Sequence, residues 1–324
     1  MKKILKLFGI TIVIVAVLAV TLIGFSMLNE AYYYKSTKTE QVIDTKYAQM
    51  GELEVSSKEY SSDDEAIKKF IAYYPTKLDE NKYPIVLWAN GTGSTSDTYK
   101  AFFKHLASWG FVVVGNDDKN TRSGSSLNKT IDLLIEENGN KDSIFYQKLD
   151  LNNIGIGGHS QGGPAVFNMV TNQSHKDMIK CVYAASPTSS YHTAIYGGDW
   201  IYDISKVNVP TFMAAGTGLF DAGTATSKDQ VNDDSKNIAQ GITPLWSLEE
   251  NYSLLPNGVD KIYARKDNTD HGDSYKQFDG YMTAWFVAYL KDDSEAIKAF
   301  TIDGELSKNS LYQDFRSNIK AEIN

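Results

Sequence analysis

The sequence predicts an α/β fold in which a mostly parallel central sheet carries helices on both faces. Short apolar runs such as Tyr83–Ala89 and Ile179–Ala185 are typical of strands that are buried on both faces. Longer amphipathic stretches, of which residues 96–109 are the clearest, lie between these runs. Strands that alternate with helices build parallel sheets, because each helix returns the chain to the end of the sheet where the next strand starts.

Composition and charge narrow the function classes. The chain of 324 residues is 42% hydrophobic, enough for one large α/β domain plus a short extra segment. Its net charge is −8 and its basic residues do not cluster beyond the N-terminus, so no nucleic-acid partner is expected. The single cysteine, Cys181, rules out an internal disulfide and a Cys-based metal site. No histidine pair has the spacing of metal ligands, so we predict no metal, and the oligomeric state stays open.

The N-terminus predicts a signal-anchor transmembrane helix over residues 1–28. Residues 7–28 carry no charge, and a helix over them would span roughly 33 Å, enough to cross the hydrocarbon core. Lysines at positions 2, 3 and 6 place the N-terminus in the cytoplasm and the rest of the chain outside the cell membrane. A cleaved signal peptide is the alternative and would give a secreted protein. Polar residues 29–50 predict a tether to a folded domain at residues 51–324.

Within the predicted domain, strands and helices follow one another in a regular order. The predicted strands cover residues 52–60, 66–74, 83–89, 111–115, 153–157, 179–185 and 209–215, and residues 262–264 belong to the last strand. The predicted helices cover residues 96–109, most of 127–149, 163–171 and 275–290. The first two strands predict an antiparallel opening pair, and the others predict the parallel part of the sheet.

A glycine-rich turn joins the strand at residues 153–157 to the following helix. Residues 158–162 read G-H-S-Q-G, which fits the G-x-S-x-G of a nucleophile elbow between a strand and a helix. The turn is strained, so Gly158 and Gly162 supply the small residues that it needs. Ser160 would then lie at a helix N-terminus, where free N–H groups favour developing negative charge. The alternative is a glycine turn that merely contains a serine, but the flanking elements favour a nucleophile.

A serine nucleophile needs a histidine base, and His271 is the best candidate. Where an elbow carries the nucleophile, the acid and then the base follow it along the chain. Of the five histidines, only His271 lies beyond the predicted last strand, in a polar loop at residues 267–273. His159, inside the elbow, is expected to point its side chain away from the serine hydroxyl.

The orienting acid is predicted to be Asp221. It is the first carboxylate after the predicted strand at residues 209–215. Asp203, before that strand, and Asp229, after it, are the alternatives. Asp270, next to the candidate base, is expected to be a solvated loop residue.

Ester cleavage also needs two N–H donors for the oxyanion. One is predicted to be the backbone N–H of Gln161, directly after the candidate nucleophile. The other is predicted in the loop after the third strand, with Thr92 preferred and Gly93 as the fallback.

With these pieces in place, the chain resembles the α/β-hydrolase superfamily, and within it the cutinase-like, poly(ethylene terephthalate) hydrolase and dienelactone hydrolase branch. The resemblance covers about residues 50–300 and is carried by residues 84–92, 106–114, 158–163, 209–211 and 280–285. It implies an α/β-hydrolase fold and a cofactor-free carboxylic ester hydrolase that works through an acyl-enzyme. It also implies that Ser160 is the nucleophile, His271 the base and Asp221 the orienting acid.

Two departures from that branch bear on the substrate. Members that grip aromatic polyesters carry an aromatic residue where this chain has Thr92, so short acyl esters, about C2 to C6, are the expected small-molecule substrates. Residues 225–255 form a long stretch between acid and base. Leu245 and Trp246 would line an acyl pocket if this stretch is a lid; Leu245 and Leu248 would pack on the core if it is an ordinary surface helix.

The sequence therefore favours an extracytoplasmic, membrane-tethered serine esterase. A peptidase, amidase or acyltransferase on the same fold is the second reading, because the same three residues serve amides and other acyl acceptors. A catalytically silent binding module is the third, and the complete Ser, Asp and His set argues against it.

Overall fold

The computed structural model describes residues 40–79, 81–231, 240–277 and 279–320, without the side chains of residues 277 and 279. The predicted transmembrane helix at residues 1–28 and the tether up to residue 39 lie outside the described residues. Within the described ranges, no helix is both long enough and apolar enough to span a membrane.

In the described part of the chain, nine strands form one sheet in the order β1-β2-β4-β3-β5-β6-β7-β8-β9. The strands are β1 Val55–Ser61, β2 Lys69–Pro75, β3 Tyr83–Ala89, β4 Val112–Asn116, β5 Leu149–His159, β6 Ile179–Ala185, β7 Thr211–Gly216, β8 Lys261–Lys266 and β9 Tyr312–Ser317. Neighbours from β4 to β8 pair in parallel, whereas β1, β2 and β9 pair antiparallel. This arrangement confirms the predicted α/β-hydrolase fold with its antiparallel opening pair.

In the described part of the chain, one α-helix precedes β1 and the others lie between the strands. They are α1 Val42–Ala48, α2 Lys100–Ser108, α3 Ser125–Gly139, α4 Gly162–Asn172, α5 Ser190–Tyr196, α6 Leu219–Ala222, α7 Leu245–Leu254, α8 Ser274–Gln277, α9 Asp279–Leu290 and α10 Glu305–Lys308. Two buried apolar clusters are present, and each contains different side chains of the parallel strands. One contains residues of α1, α2 and α9, and the other residues of α3, α4 and α7. The sheet is therefore covered on both faces, as its apolar strands require.

The folded part begins before residue 51, where the sequence placed a tether. Helix α1 buries Tyr47 completely within the cluster that contains α9. Its first turn is held from far along the chain, because Glu305 accepts the backbone N–H groups of Ile43 and Asp44 at 2.7 and 2.9 Å. The helix is short and its N-cap Gln41 makes no side-chain capping bond, so the local sequence gives little sign of it.

Two other expectations about elements were wrong. Strand β8 is not the last, because β9 adds an antiparallel edge to it. The polar, half-buried sequence of β9 lacks the apolar run by which the other strands were predicted. The helix expected over most of residues 127–149 ends at Gly139, and Leu149 already opens β5 opposite Tyr83.

Candidate active site

The predicted elbow lies between β5 and α4. Ser160 has φ +60°, in the left-handed region that a non-glycine residue adopts only at a cost. A Cβ at Gly158 would lie 2.2 Å from the carbonyl oxygen of Gly162, and one at Gly162 would lie 2.3 Å from that of Ala89. Only glycine at both positions lets the turn close against β3. The Ser160 N–H donates to the carbonyl of Ala185 at 3.0 Å, which fixes the turn to the end of β6.

Asp221 lies in the acid loop, residues 217–223, which follows β7. Its carboxylate is completely buried, and both oxygens are used. Oδ1 lies 2.7 Å from His271 Nδ1, while Oδ2 accepts the Ser186 hydroxyl at 2.6 Å and the Gly216 N–H at 2.7 Å. A carboxylate bound in this way holds the imidazole proton on Nδ1 and leaves Nε2 as an acceptor.

The alternative acids lie elsewhere. Asp203 is bonded to Ser205 and Lys206 at the surface, and Asp229 is exposed. The structure thus brings Asp221, and neither of the alternatives, to the candidate base.

His271 lies in the base loop, residues 267–273, beside the elbow. Its ring centroid is 4.8 Å from that of His159, the residue before the candidate nucleophile. His159 Nε2 lies 2.9 Å from the carbonyl oxygen of His271. No hydrogen bond joins the Ser160 hydroxyl to His271 in the described residues, and such bonds often tighten only when substrate binds.

The expected oxyanion donors differ in their present hydrogen bonds. The N–H of Gly93, the fallback donor, already donates to the carbonyl of Lys119 at 3.3 Å. Among the described residues, the N–H groups of Thr92 and Gln161 have no hydrogen-bond partner. The Gln161 side chain donates to the same Lys119 carbonyl at 2.7 Å, so both stretches are tied to one loop.

Asp270 was expected to be a solvated loop residue, and this expectation was wrong. Its carboxylate accepts the N–H groups of His271 at 2.8 Å, Asp221 at 3.0 Å and Phe220 at 3.3 Å. A Cβ on Gly218 would lie 2.4 Å from that carboxyl carbon, so the acid loop approaches closely. Asp270 therefore fastens the acid loop to the base loop, and only its position next to His271 could have signalled this.

Leu245 and Trp246 are the first residues of helix α7. They line an open cavity of about 370 Å³ together with Arg265, Gln313 and part of the acid loop. The described lining of this cavity includes neither Ser160 nor His271. Leu248 is completely buried in the core and Leu245 packs against the same cluster, as the reading of α7 as a surface helix predicts.

The described residues contain no group of three or more His, Cys, Asp or Glu side chains that could hold a metal ion. Cys181 is completely buried, and burial raises the pKa of its thiol. A protonated, inaccessible thiol is an apolar core residue rather than a nucleophile.

Comparison with known proteins now places the chain in a family. Residues 38–316 match the PETase family, described as PET hydrolase-like. The chain belongs to the PET hydrolase-like family. The bis(hydroxyethyl) terephthalate hydrolase of Streptomyces coelicolor (strain ATCC BAA-471 / A3(2) / M145) is 24% identical to it over 233 residues. That alignment covers 68% of this chain and 62% of the relative, so the chain spans about three fifths of the relative's length.

The match to the PET hydrolase-like family agrees with the limits of the folded part. It begins at residue 38, ahead of α1, and ends at residue 316, within β9. Helix α1 and the start of β9, which the sequence did not predict, therefore lie within the residues that match the family.

Proposed function

We propose that this protein is a serine hydrolase that cleaves carboxylic esters through an acyl-enzyme. The observation that carries the proposal is the 2.7 Å contact of buried Asp221 with His271, placed beside the Ser160 elbow. Membership of the PET hydrolase-like family and the resemblance to a terephthalate ester hydrolase support the same reaction class.

In the proposed reaction, the Ser160 hydroxyl attacks the ester carbonyl while His271 Nε2 takes its proton. Asp221 stabilises the resulting imidazolium and keeps the ring oriented. The negative charge on the former carbonyl oxygen is met by the N–H groups of Thr92 and Gln161. His271 then gives its proton to the leaving alcohol, and the acyl group stays on Ser160. Water, deprotonated by His271, releases the acid and restores the serine.

We propose small esters with short acyl chains, about C2 to C6, as the substrates. Thr92 is exposed and offers little flat apolar surface on the oxyanion side. On the acid side, Leu219 and Phe220 are 55% and 46% exposed directly before Asp221 and could contact a short apolar group. Because each buried methylene contributes about 0.8 kcal/mol, so small a surface favours a few carbons and no more.

We also propose that the catalytic domain lies outside the cell, tethered by residues 1–28. The uncharged run at residues 7–28 and the lysines before it support this placement. External protease should remove the domain from intact cells, whereas a soluble mature form that starts near residue 28 would indicate a cleaved signal peptide.

The central experiment is labelling with a fluorophosphonate, which reacts with activated serines, followed by turnover of p-nitrophenyl esters of rising acyl length. Wild type should be labelled on Ser160 and should turn over the short esters. Ser160→Ala should fold with an unchanged melting temperature, lose the label, and lose turnover by several orders of magnitude. A Ser160→Ala protein that keeps a tenth of the wild-type rate would sink the assignment.

The same assays distinguish the alternative functions. Turnover of p-nitroanilides in preference to esters would make the protein an amidase. Transfer of the acyl group to an added alcohol in preference to water would make it an acyltransferase. A wild type that is neither labelled nor active would be a silent binding module.

A further inference from the structure

A buried chain of hydrogen bonds connects the two loops that the proposed reaction needs. The oxyanion loop, residues 90–94, presents its Gly91 N–H to the Tyr99 hydroxyl at 2.8 Å. Tyr99 Oη lies 3.3 Å from His159 Nδ1, and His159 Nε2 lies 2.9 Å from the carbonyl oxygen of His271. We infer that Tyr99 and His159 are positioning residues that set the oxyanion loop and the base loop relative to each other across the elbow. This inference rests on the proposed function.

The chemistry of the two ends fixes the direction of every bond in the chain. The backbone amide of Gly91 can only donate, and the carbonyl of His271 can only accept. His159 must therefore carry its proton on Nε2, which makes its Nδ1 the acceptor. The Tyr99 hydroxyl accepts from Gly91 and gives its own proton to that Nδ1. Each polar atom of the chain then has a partner of the opposite kind.

Burial keeps the chain in this single protonation state. Tyr99 is 1% exposed and His159 is 8% exposed. Burial, together with the nearby His271, lowers the pKa of His159 to about 3, so the ring stays neutral during turnover. Burial also raises the pKa of Tyr99, so its hydroxyl keeps its proton. A neutral His159 cannot compete with His271 for the proton of the reaction.

Packing holds the members of the chain in place from the sides. The Tyr275 ring centroid lies 4.9 Å from that of His159 and 5.1 Å from that of Tyr99. A Cβ on Gly91 would lie 3.0 Å from His159 Nδ1 and 3.1 Å from Tyr99 Oη, which leaves no comfortable room for a side chain. Asn90 separately ties the start of the oxyanion loop to the carbonyls of Asn116 and Asp118 at 2.7 and 2.9 Å. The Tyr99 hydroxyl is the described contact that extends this support toward the base.

The removal of the Tyr99 hydroxyl should therefore disturb placement rather than binding. Tyr99→Phe keeps the ring among its aromatic neighbours but leaves the Gly91 N–H and His159 Nδ1 without partners. Because small displacements of reacting groups lower the rate steeply, we expect kcat to fall about tenfold with little change in KM.

Tyr281→Phe is the matched control in the full chain. Tyr281 is also completely buried and its hydroxyl also has two partners, Glu305 Oε1 and Asn309 Nδ2, both at 3.2 Å. These partners lie in α10 and directly after it, and neither belongs to the oxyanion loop, the elbow or the base loop. We expect a similar loss of melting temperature and an unchanged kcat. Equal kcat values in the two variants, or a Tyr99→Phe loss fully explained by a smaller folded fraction, would overturn the inference.

Position 159 gives an independent test with a conservative rescue. His159→Gln retains an N–H that can donate to the His271 carbonyl, whereas His159→Phe removes it. We expect His159→Gln to keep more of the wild-type kcat than His159→Phe, and equal losses would count against the chain.

Nuclear magnetic resonance tests the chain of hydrogen bonds independently of enzyme activity. In full-length protein labelled with ¹⁵N-histidine, the signals that disappear in His159→Gln should report a neutral ring protonated on Nε2 down to about pH 4. A proton on Nδ1, or a charged ring at that pH, would contradict the inference even in an active enzyme. If the wild type is inactive but His159 shows the expected tautomer, the proposed function is wrong, and the chain of hydrogen bonds is still supported.

Discussion

The base loop is held from two sides, and the two connections differ in charge. On the acid side, the carboxylates of Asp221 and Asp270 bind the His271 ring and its backbone N–H. On the oxyanion side, the neutral His159 donates to the His271 carbonyl. A charged partner stabilises the proton that the base takes up, whereas a neutral partner can only set a distance. The acid side therefore stabilises the proton on His271, whereas the oxyanion side sets the position of the base loop.

The largest effect is expected where the charge acts on the proton. Asp221→Asn keeps the shape but can place an amide N–H against His271 Nδ1, which favours the wrong tautomer. We expect kcat on a short p-nitrophenyl ester to fall about 10³–10⁴-fold. Asp203→Asn, at an exposed carboxylate, should leave kcat unchanged. The opposite ranking of the two variants would move the acid to Asp203.

A smaller effect is expected where charge acts only on loop position. Asp270→Ala removes the acceptor of three backbone N–H groups, two of which belong to the acid loop. The acid loop is then joined to the base loop by fewer contacts, among them the Gly218 N–H to the Thr269 carbonyl at 2.8 Å. We expect kcat to fall roughly ten- to a hundredfold, with Asp221 and His271 still present. Asp273→Ala on the same base loop is the control, because its carboxylate contacts Lys276 at 3.4 Å and not the acid loop. If both variants lose the same activity, Asp270 has no special part in joining the loops.

The elements that depend on a local sequence pattern were predicted well. The apolar runs at Tyr83–Ala89 and Ile179–Ala185 match β3 and β6 residue for residue, because a strand buried on both faces has little freedom in its composition. The elbow is similarly constrained by the two glycines that let it close. The candidate acid and base followed from chain order once the elbow was recognised.

The sequence could not predict contacts that depend on how distant segments meet. Asp270 lies 49 residues from Asp221 along the chain, and nothing near either residue indicates that its carboxylate caps the other loop. Tyr99 reads as part of an amphipathic stretch, so its hydroxyl gave no reason to separate it from the aromatic core. Helix α1 was missed for the same reason, since Glu305 holds its first turn from the other end of the domain.

The smallest effect on the rate is expected on the neutral side, where His159 also makes the stability of the protein depend on pH. Burial holds the pKa of folded His159 at about 3, whereas the pKa of an exposed histidine in the unfolded chain is about 6.5. Between these values the unfolded state binds a proton that the folded state does not. His159 therefore lowers stability as the pH falls below about 6.5, by up to roughly 1.4 kcal/mol per pH unit, and has no such effect above it.

His159→Gln should therefore flatten the acid side of the stability profile. The free energy of unfolding, measured with urea on the full chain between pH 8 and pH 4, should fall less steeply in the variant than in wild type. Values at pH 8 give the pH-independent cost of the substitution. His192, whose pKa burial also lowers, is present in both proteins and so contributes equally to both slopes. Parallel profiles would mean that His159 is protonated to the same extent in both states, and the neutral connection between the loops would then lose its basis.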